Sequence, residues 1–253
     1  MEQQIVARRT GDNEPPHPGV EPPLRSVQQA PRAKGHFLQP KWSNPGAYYE
    51  RIDQISPYVT GKSVLDVGCT AGSRRDDWVH AGLVRVADHV VGVDIDAEAV
   101  NRVRQRGFDV RLADAESLLV AEEFDVVHAG ELLEHLDNPR AFLAAARSKL
   151  KSGGVLILTT PNAFAVSNFV YRLGGKPRVN GDHTCWYCED TLRQLLERND
   201  YEILSMGYMR HRATGLFRTR IANVLRRVLP QRLAWNTLVV VARPRLEASA
   251  GDD

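Results

Sequence analysis

The 253-residue sequence lacks the marks of several broad classes. Its 3 cysteines are too few for a disulfide framework, which excludes a disulfide-stapled secreted fold. No run approaches the ~18 apolar residues of a membrane-spanning helix. The opening MEQQIVARRT has no apolar core and does not read as a secretory signal. Neither sign of charge prevails: 33 basic residues face 31 acidic ones, a net charge of +2. Nucleic acid is therefore not an expected partner. The loops carry neither a G-x-x-x-x-G-K-[ST] phosphate cradle nor the G-x-G-x-x-G of a dinucleotide site. What remains is a globular chain expected in the cytoplasm.

Proline is unevenly spread, with eight of the 14 residues lying in 1–45. The stretch GDNEPPHPGVEPPLRSVQQAPRAKG has no apolar period and cannot bury enough surface to offset its ordering entropy. Residues 1–40 are expected to be a disordered tail, as are 245–253, leaving 41–244 as the working domain.

Within that domain, short apolar runs alternate with amphipathic ones, the pattern of a parallel sheet with helical crossovers. Strands are expected at Ser63–Val67, His89–Val93, Asp109–Leu112, Phe124–His128, Gly154–Thr159, Glu202–Tyr208 and Thr237–Ala242. Helices are expected within Pro45–Val59, from Asp76, and over Asp96–Arg106, Asn138–Leu150 and Thr191–Arg198. Asn138 is placed to cap its helix, Pro139 fits the first turn, and Gly153-Gly154 lies past the end. Strands apolar on both faces belong to a covered sheet, and such sheets bind ligands at the carboxyl ends of their strands.

Those ends are informative. The first strand runs into Asp66-Val67-Gly68-Cys69-Thr70-Ala71-Gly72, where glycines let backbone approach a ligand. The second ends in Asp94-Ile95, an acidic position suited to ribose hydroxyls, and Asp114-Ala115 after the third adds another acceptor. In order and spacing, VLDVGCTAG, VVGVDID, LADAESL, FDVVHAGELLEHL and LKSGGVLILTTPN resemble the class I S-adenosylmethionine-dependent methyltransferases. The resemblance implies an α/β, Rossmann-like sheet of seven mainly parallel strands, helices on both faces and the last strand antiparallel. It implies S-adenosyl-L-methionine as cofactor. Asp66, Gly68 and Gly72 would surround its methionine part, Asp94 would hold the ribose and Ile95 would pack on the adenine. Asp114 would accept from the adenine amino group with Ala115 beside it, and Ala129 and Gly130 would approach the sulfonium. One departure stands out: Thr70 occupies a position where glycine is common.

After the fourth strand comes Glu131-Leu132-Leu133-Glu134-His135. On a helix, Glu131, Glu134 and His135 share one face. His183 follows in the loop GGKPRVNGDHTCWYC, which is expected over the same sheet edge. Two carboxylates and two imidazoles suit Mg²⁺, Mn²⁺ or Zn²⁺. The E-x-x-E-H run is similar to that of metal-dependent branches of the family, the small-RNA 2′-O-methyltransferases and the ubiquinone-pathway O-methyltransferases. By that likeness Glu131, Glu134, His135 and His183 would be ligands. Two other readings stay open: His135 or His183 as a general base without metal, with Glu131 touching the donor, or purely structural roles.

Between the last two strands, residues 210–232 read as a basic helical insert with seven arginines. It suits packing on the domain with a solvated arginine face, and a peripheral contact with an anionic membrane stays open. Cys185-Trp186-Tyr187-Cys188 lacks the second pair of a zinc ribbon and is expected to pack. The expected activity is methylation of a hydroxyl on a small acceptor, a sugar or glycan or a phenol or quinone precursor. A metal-independent transferase, an RNA-end 2′-O-methyltransferase and a non-catalytic donor-binding regulator are the alternatives. A homodimer stays open.

Overall fold

A computed structural model of the chain describes residues 51–74, 78–173, 179–209 and 228–245. The expected tail 1–40 lies outside the described residues, as do 246–253 and most of the basic insert. The described end of that insert departs from one continuous helix. Pro230 is extended (φ −62°, ψ 151°), and a separate short helix, α7, covers Gln231–Ala234. Proline has no N–H for a helical bond and fixes φ, so it starts a new turn here.

Seven strands form one sheet: β1 Ser63–Val67, β2 His89–Asp94, β3 Val110–Leu112, β4 Phe124–Gly130, β5 Leu150–Pro161, β6 Tyr201–Met209 and β7 Thr237–Pro244. Their spatial order is β3-β2-β1-β4-β5-β7-β6. β1 pairs in parallel with both β2 and β4, while β7 is antiparallel to β5 and β6. The seven-stranded α/β architecture expected from the sequence is the one observed. Connection order reverses between β1 and β4, which opens a crevice at their carboxyl ends.

Both faces are covered, as the apolar strands require. On one face Leu65, Val93, Val127 and Leu158 pack with Phe142 and Leu143 of α4 (Pro139–Ser148) and Leu192 and Leu196 of α6 (Glu189–Arg198). On the other, Val64, Val126 and Ile157 meet Ile55 and Val59 of α1 (Arg51–Val59) and Leu83 of α2 (Val79–Val86). Pro57 in α1 cannot donate to the Asp53 carbonyl four residues back, and the Ser56 hydroxyl donates to it instead, at 3.0 Å. Asp96 and Asn138 cap α3 (Ala97–Arg104) and α4 by accepting from Ala99 and Ala141 N–H.

Two boundaries differ from expectation. α4 stops at Ser148 and β5 begins at Leu150, which pairs with Phe124, so Gly153-Gly154 lies inside the strand. Gly153 has φ +76°, and a Cβ on Gly154 would come within 2.9 Å of the Lys151 carbonyl. The pair forms an irregularity that only glycine fits, with register shifting opposite it between Phe124 and Val126. A further helix, α5 over Val166–Leu173, had no counterpart in the sequence reading.

The amino end of the sheet is clamped. Ser63 donates from N–H (2.9 Å) and Oγ (2.7 Å) to Asp125 Oδ2, which also receives Lys151 Nζ at 3.2 Å. These donors, Ser63 foremost, hold the Asp125 carboxyl at about 2. Because the folded value lies below the unfolded one, the clamp's contribution is full above about pH 4 and is lost as pH falls towards 2. Asp125→Asn is expected to lower Tm by about 2–4 °C at pH 7, the size of a net loss near 1 kcal/mol. Its deficit against the wild type should close as pH falls through that window in thermal unfolding scans.

Candidate functional site

A cavity of about 280 Å³ opens at the carboxyl ends of β1 to β4. Val67 and Gly68 line it at the end of β1, Asp94 and Ile95 at the end of β2, and Asp114 and Ala115 after β3. The stretch after β4 contributes Leu132 and His135–Asp137. Of the expected donor-site residues, Gly68, Asp94, Ile95, Asp114 and Ala115 therefore share one cavity. Gly68 has φ +74°, which favours glycine, and a Cβ there would meet Leu132 Cδ1 tightly, at 3.1 Å. Gly72 (φ +78°), Ala129, Gly130 and Asp66 do not line the cavity.

Asp94 is held firmly. Its Oδ2 accepts from Thr70 N–H (2.9 Å) and from Thr70 Oγ1 (2.8 Å), and its Oδ1 accepts from Asp96 N–H at 3.0 Å. The threonine at the glycine-rich loop's variant position thus fastens that loop to the end of β2. Asp114 accepts from Glu116 N–H at 2.9 Å, which closes the turn after β3.

Asp66 has a different setting from the one expected. It is buried, with Oδ2 2.9 Å from His80 Nδ1 and Oδ1 2.7 Å from His128 Nδ1. Burial raises its carboxyl, but the two imidazoles, His128 above all, outweigh that and hold it at about 2. Each oxygen has one imidazole partner within the protein, so Asp66 ties β1 to β4 and α2, and it lies outside the cavity lining.

The segment after β4 does not form the expected helix. Glu131 has φ +54°, a left-handed turn residue, and its N–H donates to the Thr159 carbonyl at 2.7 Å. Helical geometry begins only at Leu133, as a single 3₁₀ turn over Leu133–His135. The shared helical face expected for Glu131, Glu134 and His135 does not form. Glu134, His135 and His183 do come together, one ligating atom from each lying within 4.8 Å of the others. Among the described residues Glu131 is outside this group.

Threonines build the cluster. Thr160 Oγ1 donates to the buried Glu134 Oε2 at 2.9 Å. Thr184 donates its N–H to the Glu134 carbonyl at 2.8 Å, and its hydroxyl bridges the Glu134 and Leu136 carbonyls at 3.1 Å each. The loop carrying His183 is thereby stitched to the turn carrying His135, and the two rings meet edge to face with centroids 4.6 Å apart. His183 Nδ1 is buried without a hydrogen-bond partner. Burial, with His135 nearby, lowers the His183 imidazole, which Asp182 only partly opposes. That favours the neutral ring, able to accept a proton or ligate a cation. Neither threonine was picked out from the sequence. Thr159-Thr160 at the end of an apolar strand was the available signal, since buried hydroxyls must find partners.

The cysteines are all free. Cys188 caps α6 together with Thr191, and Cys185 packs against the core, in line with the packing role expected. No helix among the described residues is long and apolar enough to cross a membrane.

With this geometry in view, the family profile described as a methyltransferase domain matches residues 35–206. The chain is similar to the ubiquinone biosynthesis O-methyltransferase of Azoarcus sp. (strain BH72), 26% identical over 196 residues, 68% of this chain and 82% of the relative. The ubiquinone biosynthesis O-methyltransferase of Thiobacillus denitrificans is 29% identical over 171 residues, covering 60% and 72%. Among solved structures, magnesium protoporphyrin IX methyltransferase from Synechocystis PCC 6803, with bound SAH, has a TM-score of 0.54 at 17% identity, covering 76% and 81%. At that identity the likeness concerns the fold.

Asp66→Ala strips two buried imidazoles of their acceptor. It is expected to destabilise the protein by about 3–5 kcal/mol, as for a broken buried pair. Equilibrium denaturation that leaves the unfolding free energy unchanged would remove this role.

Proposed function

The chain belongs to the methyltransferase-domain family and is an S-adenosylmethionine-dependent methyltransferase, and from that premise we propose that it methylates a hydroxyl oxygen of a small acceptor, a phenol or quinone precursor. The observation that carries this reading is the Glu134–His135–His183 cluster, which adjoins the donor cavity through His135. The names of the relatives, covering 82% of the first, favour a quinone precursor over a sugar.

The donor half works through acceptors and close backbone. Asp94 is the acceptor for the ribose, Asp114 receives the adenine amino group, and Ile95, 72% exposed at the cavity, has apolar surface to offer the adenine. Gly68, a lining residue without a side chain, presents backbone to the donor. The acid-lined cavity also suits a donor that carries positive charge on sulfur.

The acceptor half must align a hydroxyl with the sulfonium methyl and take its proton. The acceptor oxygen forms the new O–C bond as the S–C bond breaks, and sulfur keeps that electron pair as a neutral thioether. The hydroxyl proton goes to a neutral imidazole, and His183, lowered by burial, is suited to receive it. The same cluster fits a divalent cation: two imidazoles and a carboxylate converge, and His183 Nδ1 is buried without a partner. Glu134, His135 and His183 would hold it, and the two nitrogens favour Zn²⁺ or Mn²⁺ over Mg²⁺. When bound, such an ion lowers the pKa of a coordinated hydroxyl.

Asp94→Ala is expected to weaken SAH binding by about 10- to 100-fold in calorimetry, the range for hydrogen bonds to a charged group. Unchanged affinity would overturn the donor-site assignment. With labelled donor, catechols should be methylated in preference to diol sugars and RNA ends. Chelation that abolishes activity, restored by Zn²⁺, Mn²⁺ or Mg²⁺, would establish the cation. Full activity in chelator would leave the imidazole as sole base.

A further inference from the structure

We propose that Thr70 restricts Asp94 to a single hydroxyl of the donor sugar, so that this enzyme grips its donor by one of the two ribose hydroxyls. The inference rests on the reading of Asp94 as ribose acceptor and adds to it a count of acceptor positions. An ionised carboxylate offers about four such positions, two on each oxygen. Three are occupied from within the protein. Thr70 fills both positions on Oδ2, with its N–H at 2.9 Å and its hydroxyl at 2.8 Å. Asp96 N–H fills one on Oδ1 at 3.0 Å. One position on Oδ1 remains, and a ribose diol presents two donors.

The hydroxyl of Thr70 does not readily give way. Thr70 is buried, 8% exposed, so water has little access to replace its partner. Turning the hydroxyl away from Asp94 would leave a buried donor unsatisfied, which disfavours the rearrangement. A glycine at this position would supply only the backbone N–H and leave a second acceptor position for the sugar. The side chain at 70 therefore sets how many hydroxyls are read, which makes Thr70 a specificity-determining residue acting through Asp94.

The test is calorimetry on the full chain with SAH and its 2′-deoxy and 3′-deoxy analogues. In the wild type one analogue is expected to bind about tenfold or more weakly and the other within about threefold of SAH. In Thr70→Ala, which frees a position on Oδ2, both analogues should bind about tenfold or more weakly than SAH. Thr70→Ser keeps the hydroxyl and should keep the wild-type pattern. Equal weakening by both analogues in the wild type, or by neither, overturns the proposal, as does a one-hydroxyl pattern that survives in Thr70→Ala. Should Thr70→Ala fail to fold, the wild-type comparison decides alone. Asp94→Ala separates the two levels. Its loss of SAH binding alongside a failed hydroxyl pattern removes this inference and leaves the donor site standing, whereas normal SAH binding by Asp94→Ala removes both.

Discussion

The Asp66 carboxylate, clasped between His80 and His128, is the constraint on which the rest of the structure leans. It lies in the middle of the sheet, in register with Gly92 of β2 on one side and His128 of β4 on the other. A buried charge is costly unless hydrogen bonds satisfy it, and here each oxygen has its own imidazole donor. Since the carboxylate accepts, each ring carries its proton on Nδ1, which fixes both tautomers. Gly92 leaves the room this needs: a Cβ there would lie 2.6 Å from Cys69 Sγ and 2.7 Å from His80 Cε1. The row locks β1 between its parallel neighbours at the level where their loops diverge, and so sets where the cavity opens.

Above that row the site has two halves with different supports. The cavity half hangs on strand ends: Gly68 after β1, Asp94 at the end of β2 and Asp114 after β3 are carried by parallel strands in fixed register. The other half is made from irregular backbone, a left-handed residue, one 3₁₀ turn and the loop over 179–188. Such backbone needs side-chain partners to hold its shape. Thr184 supplies them, its N–H donating to the Glu134 carbonyl and its one hydroxyl proton shared between the Glu134 and Leu136 carbonyls, and Thr160 anchors the Glu134 carboxylate to β5. His135 belongs to both halves, as a lining residue of the cavity and as the ring against His183.

The legibility of these parts in the sequence follows the same division. The carboxyl ends of strands were legible because strand period and chain order locate them, and Gly68, Asp94, Ile95, Asp114 and Ala115 share one cavity there. The helix cap at Asn138 was equally readable, while the antiparallel last strand followed from the family resemblance. The helical face expected for Glu131 does not form because a φ of +54° breaks that period before it starts. The two imidazoles on Asp66 come from α2 and β4, and sequence separation hides that pairing. His183 was paired correctly with His135, but Thr184, the neighbour that brings it there, carries no local pattern.

The glycine-rich loop shows how a motif position can change without loss of the turn. Gly68 and Gly72 both have positive φ, +74° and +78°, which a side chain would strain. Thr70 is not among the described residues with positive φ, so the backbone makes no demand for glycine there. What a side chain at this position needs is space and a partner. The carboxylate at the end of β2 is that partner, and it takes both the N–H and the hydroxyl on one oxygen. A substitution that a pattern would mark as a defect thus becomes a second fastening between the first two strand ends. The exchange trades acceptor capacity at Asp94 for rigidity, since each bond from Thr70 fixes the carboxylate and also occupies a position a ligand could use.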